Sequence, residues 1–330
     1  MRGSLLVRPY EARWQGNWDE CVRTARNGLF QFERDYMEYH SDRFPDRSML
    51  VTDAREKVVA VLPLHDVEPG VVASHLGLTF GGLVVAGELG LPGVTEAFDA
   101  LLTDLQGRGE RTLVYKTVPH IYHRSPADDD RYCLFHCGAR RTRVSVLQCI
   151  ARQGERRVQT RRRRAAGKAR KAGLSAGPSD DWEGVWNLLE ARLAERHGAR
   201  PVHTLREILY LRKLFPEQIV LWTTTGQAEG LVAAVVFFLA GRVARAQYIV
   251  SSEQGFGLGA LDLLLETAVE ELDRRYITLS LGSSNTVGDH GVSRGPVEQK
   301  EGFGARSVVA EEHEVDLVSW EPGTLAASVR

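Results

Sequence analysis

Two periodicities alternate along the chain, and the alternation runs through twice. Apolar residues recur at three- and four-residue intervals from Trp18 to Arg26 and from Leu29 to Tyr39, which predicts a pair of helices. Ser48 to Asp53 and Lys57 to Leu64 are rich in β-formers on either side of Ala54-Arg55-Glu56, the pattern of a hairpin. Thr79 to Val85 reads as a short strand, Val94 to Gln106 as an amphipathic helix, and Thr112 to Thr117 as a strand between Gly109 and Pro119. The order then returns. Asp180 or Asp181 can cap a helix from Trp182 to Arg196 that Gly198 ends, and Leu205 to Leu214 gives a second helix. Ile219 to Thr224 and Gly230 to Leu239 form the hairpin around Gly226-Gln227. Strand Val243 to Ser251, helix Gly259 to Arg274 and strand Tyr276 to Leu281 follow. Strands and helices mixed in this order predict an α/β (α+β) fold, each half a mixed central sheet flanked by helices.

Local echoes support a duplication. Phe44-Pro45-Asp46-Arg47-Ser48-Met49-Leu50 reads against Phe215-Pro216-Glu217-Gln218-Ile219-Val220-Leu221, 171 residues on. Gly138-Ala139-Arg140 and Gly304-Ala305-Arg306 each precede a β-prone run, 166 residues apart. Two signatures in one order at nearly one offset predict a repeated domain. The expected division is residues 1–150, a basic connecting helix over 151–173, and a second domain over 174–330.

Composition is that of a globular chain, 43% hydrophobic and 26% charged, with a net charge of −1 that excludes a uniformly basic nucleic-acid binder. The start lacks the apolar stretch and small-residue cleavage site of a leader. The longest apolar run, Leu231 to Ala240, is half of the roughly 20 residues a membrane helix needs. Cys21, Cys133, Cys137 and Cys149 make no disulfide framework. Cys133 and Cys137 flank His136, but no second ligand pair follows, so buried thiols in a reducing cytoplasm, with no metal, are expected.

Charge is concentrated at the seam between the halves. From Arg152 to Lys171 there are ten basic residues against Glu155 alone. The segment reads either as a solvated connecting helix or as a surface for a phosphorylated or nucleic-acid ligand. A second feature follows the strand Ala246-Gln247-Tyr248-Ile249-Val250. There Gln254-Gly255-Phe256-Gly257-Leu258-Gly259-Ala260 opens a helix. Glycines between strand and helix can present backbone N–H groups to a pyrophosphate, although a plain glycine turn is the alternative, and the spacing departs from the dinucleotide fingerprint.

Gln254-x-x-Gly257-x-Gly259 resembles the pyrophosphate-binding signature of the GNAT N-acyltransferase superfamily, where it joins the fourth strand to the third helix. Across nearly the whole chain the sequence is similar to tandem-GNAT proteins of the Fem (FemAB) type. The resemblance rests on Glu38 to Phe44, Thr79-Phe80-Gly81-Gly82-Leu83, Pro119-His120-Ile121-Tyr122-His123, the basic run into Gly173, Arg196-His197-Gly198, Pro201-Val202-His203-Thr204, Gln247-Tyr248-Ile249 and Gln299 to Arg306. It implies two GNAT-like domains and transfer of an acyl or aminoacyl group to an amine in a cell-wall, polysaccharide or secondary-metabolite pathway. Ser280 stands where relatives tend to carry an acidic residue, which removes one candidate base.

On this reading His203, His197, Glu298 and Tyr248 are the catalytic candidates, with His290 a weaker one. The donor carrier is expected on Ile249, Val250, Gln254, Gly255, Phe256, Gly257, Leu258, Gly259 and Ala260. Substrate contacts are expected from Tyr122, His123, Gln247, Arg161, Arg164, Lys168 and Lys300. The glycine loop favours acyl-CoA (acetyl-CoA) as donor; the overall resemblance and basic segment favour an aminoacyl-tRNA. The acceptor is expected to be a small-molecule amine. A non-catalytic scaffold binding nucleic acid or protein through Arg156 to Lys171 is the remaining alternative. Val85-Ala86-Gly87-Glu88-Leu89-Gly90, the matching place in the first half, carries an acidic residue, so the donor site is expected in the second half alone.

Overall fold

The computed structural model describes residues 5–285 and 291–329, without the side chain of His197. The chain divides into two compact units: residues 1–145 with 309–330, and residues 146–308. In chain order the first unit begins with β1 (Leu6–Pro9), α1 (Gln15–Thr24), α2 (Arg34–Glu38), β2 (Met49–Thr52), β3 (Val58–Leu62), β4 (Leu64–Glu68) and β5 (Val71–Ser74). It continues through β6 (Val84–Val85), α3 (Leu91–Gly107), β7 (Thr112–Lys116) and α4 (Asp129–His136). Strand β8 (Arg140–Ala151) then leads into the second unit, which holds α5 (Thr160–Lys171), β9 (Ser175–Ser179), α6 (Trp182–His197), α7 (Leu205–Leu214) and β10 (Ile219–Gly226). There follow β11 (Gly230–Ala240), β12 (Val243–Ser251), α8 (Glu253–Leu258), α9 (Ala260–Glu271), β13 (Thr278–Ser283) and α10 (Arg294–Glu301). Strand β14 (Arg306–Asp316) returns to the first unit, which α11 (Thr324–Ser328) closes.

In unit 2 the sheet order is β8-β13-β12-β11-β10-β9, with β12 and β13 parallel and the neighbouring pairs antiparallel. Strand β11 is buried from Val232 to Ala240 because α6, α8 and α9 pack against it. Ala166 and Ala169 of α5 and Leu263, Leu264 and Ala268 of α9 close one core. Trp186 of α6 and Ile208 and Leu211 of α7 are buried on other helices of the same unit. Thr204 caps α7, its side chain and that of Glu207 exchanging bonds with each other's backbone, so the helix start is fixed by sequence.

Unit 1 has the same ingredients, split over the orders β1-β2-β3-β6 and β4-β5-β7-β14. The parallel pair β5–β7 is joined through helix α3, as β12–β13 is joined through α9. Both Gly-Ala-Arg echoes sit at one kind of joint. Gly138 follows α4 at φ 70° and Gly304 follows α10 at φ 86°, each turning a helix end into a strand that begins at the arginine.

Three differences between sequence and structure bear on the fold. Leu29 to Tyr39 is a 3₁₀ turn at Phe30–Phe32 and then α2, broken at an extended Glu33. Tertiary bonds hold the break: Trp18 Nε1 donates to Phe32 O at 2.8 Å, and Arg34 N to Asp19 Oδ1 at 2.8 Å. Of Thr79 to Val85 only Val84–Val85 is strand, because Gly82, at φ 93°, presses against Tyr115 where a Cβ would lie 2.8 Å from the hydroxyl. The end of the chain belongs with unit 1 and not with the second domain expected over 174–330. β14 pairs with β7, and Val315, Leu317, Trp320 and Leu325 are buried in the unit-1 core. No helix among the described residues is long and apolar enough to cross a membrane.

Unit 1 also buries three histidines together. The ring centres of His65 and His75 are 5.6 Å apart, and His40 lies 6.4 and 6.2 Å from them. Burial holds His65 down at about 4 and His75 at about 3, and lowers His40 as well. His65 and His75 thus stay neutral in the folded protein down to about pH 4, whereas unfolded imidazoles protonate near pH 6.5. The unfolded chain therefore binds more protons below that value, and stability is lost as pH falls from 6.5 toward 4. Denaturant midpoints measured from pH 7 to 5 should fall, and His65→Gln should flatten the slope; equal slopes in both proteins would refute the assignment.

Candidate functional site

The informative geometry in unit 2 is the parting of β12 from β13. The two strands pair only through Val243–Thr278, Ala244–Leu279 and Arg245–Ser280. Beyond Arg245, β12 continues to Ser251 with β11 as its ladder partner. On that side Val236 faces Tyr248 and Phe237 faces Ala246, which leaves Gln247 as an extra, bulged residue. β13 turns as well: its pairing with β8 slips between Ser280 and Ser283, at a Gly282 with φ 73°. Two bent strands leave a gap beside residues 246–251, where a row of backbone groups has no ladder partner on β13. Such a row can hold a carbonyl whose oxygen gains charge.

Lys300, from α10, stands at the β13 side of this gap. Its Nζ donates to Gly282 O at 3.3 Å, Ser283 O at 2.7 Å and Ser284 Oγ at 3.0 Å. Burial brings the ammonium down to about 8, opposed by the nearby Cys149. Cys149 itself is buried and pushed up to about 11, with Ser280 hydrogen-bonded to it. Ser280 is 1% exposed, a sealed hydroxyl beside Cys149.

The structure brings together two of the catalytic candidates. Tyr248 Oη lies 2.5 Å from His203 Nδ1 and accepts from His203 N at 3.1 Å. Trp186 Nε1 donates to His203 O at 3.2 Å and stacks edge-on to the tyrosine ring. His203 is 3% exposed, while Tyr248 is half-buried. Glu298 is placed elsewhere in unit 2, on the exposed side of α10, bonded to Arg294 at 2.6 Å. The His197 side chain and His290 lie outside the described residues.

The glycine segment takes a form the sequence did not announce. It is a short helix, α8, because the Ser252 hydroxyl caps it by accepting from Gly255 N at 2.9 Å, and Ser252 O accepts from Phe256 N at 2.9 Å. Packing accounts for two of its three glycines. A Cβ on Gly255 would lie 2.2 Å from Val232 O; one on Gly259, at φ 79°, would lie 2.5 Å from Ala165 O. Gly257 faces open space, and Gln254 and Phe256 are exposed. Leu258 is half-buried, Ala260 is buried at the start of α9, and Ile249 and Val250 pair with Val235 and Ala234.

The remaining candidates separate. Arg161 and Arg164 are exposed on α5; Lys168 on the same helix donates to Gly257 O at 2.6 Å, tying α5 to α8. Gln247 is the bulge residue. Tyr122 and His123 belong to unit 1 and face its interior, 0% and 6% exposed, with Tyr122 against Phe80 and His123 Nε2 3.1 Å from Val118 O. Tyr122 ends a short 3₁₀ turn and His123 follows it. Cys133 and Cys137 lie at the unit-1 core, and among the described residues no cluster of three or more acidic, histidine or cysteine side chains is arranged to hold a metal ion. Cys149 is the buried thiol the sequence suggested, but its place beside Lys300 was not legible, and neither was the bulge, which has no residue signature.

No family model matches the sequence, and no curated protein does. Solved structures match in fold. The chain is similar to FemX (12% identity, TM-score 0.66, covering 94% of this chain and 97% of that one). It is also similar to L-PGS from Bacillus licheniformis (11%, 0.59, 90% and 90%). A third match is a conserved protein of unknown function from Bacteroides thetaiotaomicron (8%, 0.63, 94% and 100%). The chain therefore has the fold seen in FemX and L-PGS.

The glycine geometry is testable by stability. Gly255→Ala and Gly259→Ala should each cost more than about 1 kcal/mol, from a backbone clash and a left-handed φ. Gly257→Ala, in open helix, should be neutral or stabilising by up to ~1 kcal/mol. Urea denaturation of the three variants checks the order; equal losses at all three positions would contradict it.

Proposed function

We propose that this protein transfers an acyl or aminoacyl group from an activated carrier to an amine, with unit 2 as the catalytic unit. The parting of β12 from β13 around the Gln247 bulge, in a Fem-like fold, carries the reading. The acyl carbonyl rests in the gap, polarised by backbone N–H groups of β12. The neutral amine attacks the carbonyl carbon, the tetrahedral oxyanion forms, and collapse expels the carrier's thiolate or ribose oxygen. Lys300 adds positive charge at the wall of the gap. Tyr248, half open and backed by His203, is assigned to proton transfer.

Two carriers fit this chemistry, and local geometry weighs between them. A pyrophosphate of acyl-CoA would use the α8 segment, but the amides of Gly255 and Phe256 are already bonded to Ser252 and the Gly257 carbonyl to Lys168. On α5, Arg164 and Lys171 are exposed with no side-chain partner among the described residues, as suits a polyanionic carrier. These observations favour aminoacyl-tRNA; acyl-CoA is the second reading, carried by the glycine signature and the open Gly257.

Incubation with acetyl-CoA or charged tRNA and a panel of amines, read by mass spectrometry, decides the carrier. With charged tRNA, Arg161→Ala/Arg164→Ala should lower turnover at least about tenfold and flatten its salt dependence, while Gly257→Glu should leave turnover unchanged. If acetyl-CoA is the donor, Gly257→Glu should be the damaging change. Tyr248→Phe should lower kcat by about 10- to 100-fold with either. Absence of acylated product from both donors would sink the transferase reading.

A further inference from the structure

Unit 2 contains a second concavity that the transfer reading does not use. It is a cavity of 570 Å³ bounded by α5, α9 and the loop between β8 and α5. No residue from 246 to 260 lines it, so it is separate from both the β12–β13 gap and the glycine segment.

Its wall carries five arginines (Arg152, Arg156, Arg162, Arg163 and Arg274) and three carboxylates (Asp262, Glu266 and Glu270). Most of the carboxylate charge is already committed. Asp262 pairs with Arg162 at 3.1 Å and Glu266 with Arg170 at 2.8 Å. Arg152 is committed too, donating to the carbonyls of Val269, Leu272, Asp273 and Tyr276 at the end of α9. What remains is uneven. Arg156, Arg163 and Arg274 have no hydrogen-bonded or ion-paired side-chain partner among the described residues, against Glu270 as the one carboxylate without an ion pair there. The Nε atoms of Arg156 and Arg162 are buried and unbonded.

The chain makes room for these arginines at a cost in backbone freedom. Gly304, at φ 86°, lies where a Cβ would come within 2.5 Å of Arg156 Cγ, and a Cβ on Gly302 would lie 3.1 Å from Arg162 Nε. Phe303, between them, sits under the Arg162 guanidinium at 4.3 Å. The Gly302-Phe303-Gly304 run thus cradles two arginine stems. Arg156 is half-buried, whereas Arg163 and Arg274 are exposed; guanidinium groups gathered in a concavity repel one another, and an anion bound in their fork geometry relieves that repulsion. The rest of the wall is apolar and aromatic, with Val158, Leu265 and Tyr276 among it. The volume is that of a small-molecule site and not of a duplex.

We propose that this cavity binds a nucleoside polyphosphate, the phosphates meeting Arg156, Arg163 and Arg274 and the base meeting the apolar wall. The site is independent of the donor chemistry, and its test reads binding and not turnover. Calorimetry on the full chain with ATP and, separately, inorganic pyrophosphate should give one site, tighter for ATP. Arg163→Ala/Arg274→Ala should weaken ATP at least tenfold with an unchanged melting temperature, and the double lysine variant should recover part of the loss. Gly257→Glu and Lys300→Ala should leave binding as it is. No heat with ATP, or ATP binding indifferent to the double alanine change, overturns the proposal. Loss of ATP binding in Gly257→Glu would relocate it to the glycine segment and overturn it equally. Pyrophosphate as tight as ATP would remove the nucleoside, and binding of tRNA alone would make these arginines part of an RNA face.

Discussion

Everything that gives unit 2 a chemical aspect depends on β12 and β13 ceasing to pair after Arg245–Ser280. A parallel pair continued to Ser251 would satisfy its own backbone groups and leave nothing for a substrate carbonyl. The parting is made from both sides. One extra residue at Gln247 twists β12, and Gly282 with a slipped register turns β13 toward β8. The bulge also decides which face each later side chain takes: Tyr248 points to Trp186 and His203, and Ile249 packs toward the core under α5 and α9. A strand without the bulge would exchange those faces.

The two units show what the same order of elements does with and without that opening. In unit 1 the region beside β7 is filled by the chain between β5 and β6. Lys116 N donates to Ser74 Oγ, Gly81 N to Lys116 O, and Lys116 Nζ to the carbonyls of His75 and Leu78. Leu83 N and Asp130 then share the Tyr115 hydroxyl. Where β12 and β13 cease to pair in unit 2, a local excursion of the chain fills the matching place beside β7. One copy has turned its edge into internal structure; the other has left it open.

Elements whose periodicity and caps coincide were legible in sequence. α6, α7 and the hairpins β2–β3 and β10–β11 follow from apolar spacing, Asp181, Thr204 and the turn residues. The break at Glu33 was not, since it is held by Trp18 and Asp19 from another element. Neither was the form of the glycine segment. Its glycines suggested exposed amides, yet Gly255 and Gly259 answer to neighbouring backbone, and a serine just upstream winds the segment into a helix. His203 and Tyr248 were both singled out, though only folding reveals that they meet. Tyr122 and His123 carried the same residue chemistry and proved to be interior. Burial, which no motif encodes, separates the tyrosines, Tyr122 sealed and Tyr248 half open, while both histidines are buried.

The return of the chain through β14 has a consequence for how the protein is made. Unit 2 is one contiguous stretch, residues 146–308, whereas unit 1 draws Val315, Leu317, Trp320 and Leu325 from beyond it. Synthesis runs from the N-terminus, so the first unit begun is the last whose core can close. Until residues 309–330 emerge, α3 and β7 hold apolar surface and an unpaired strand edge in waiting. On the ribosome the later-encoded unit is the first able to finish, and the earlier one must be kept from wrong partners meanwhile.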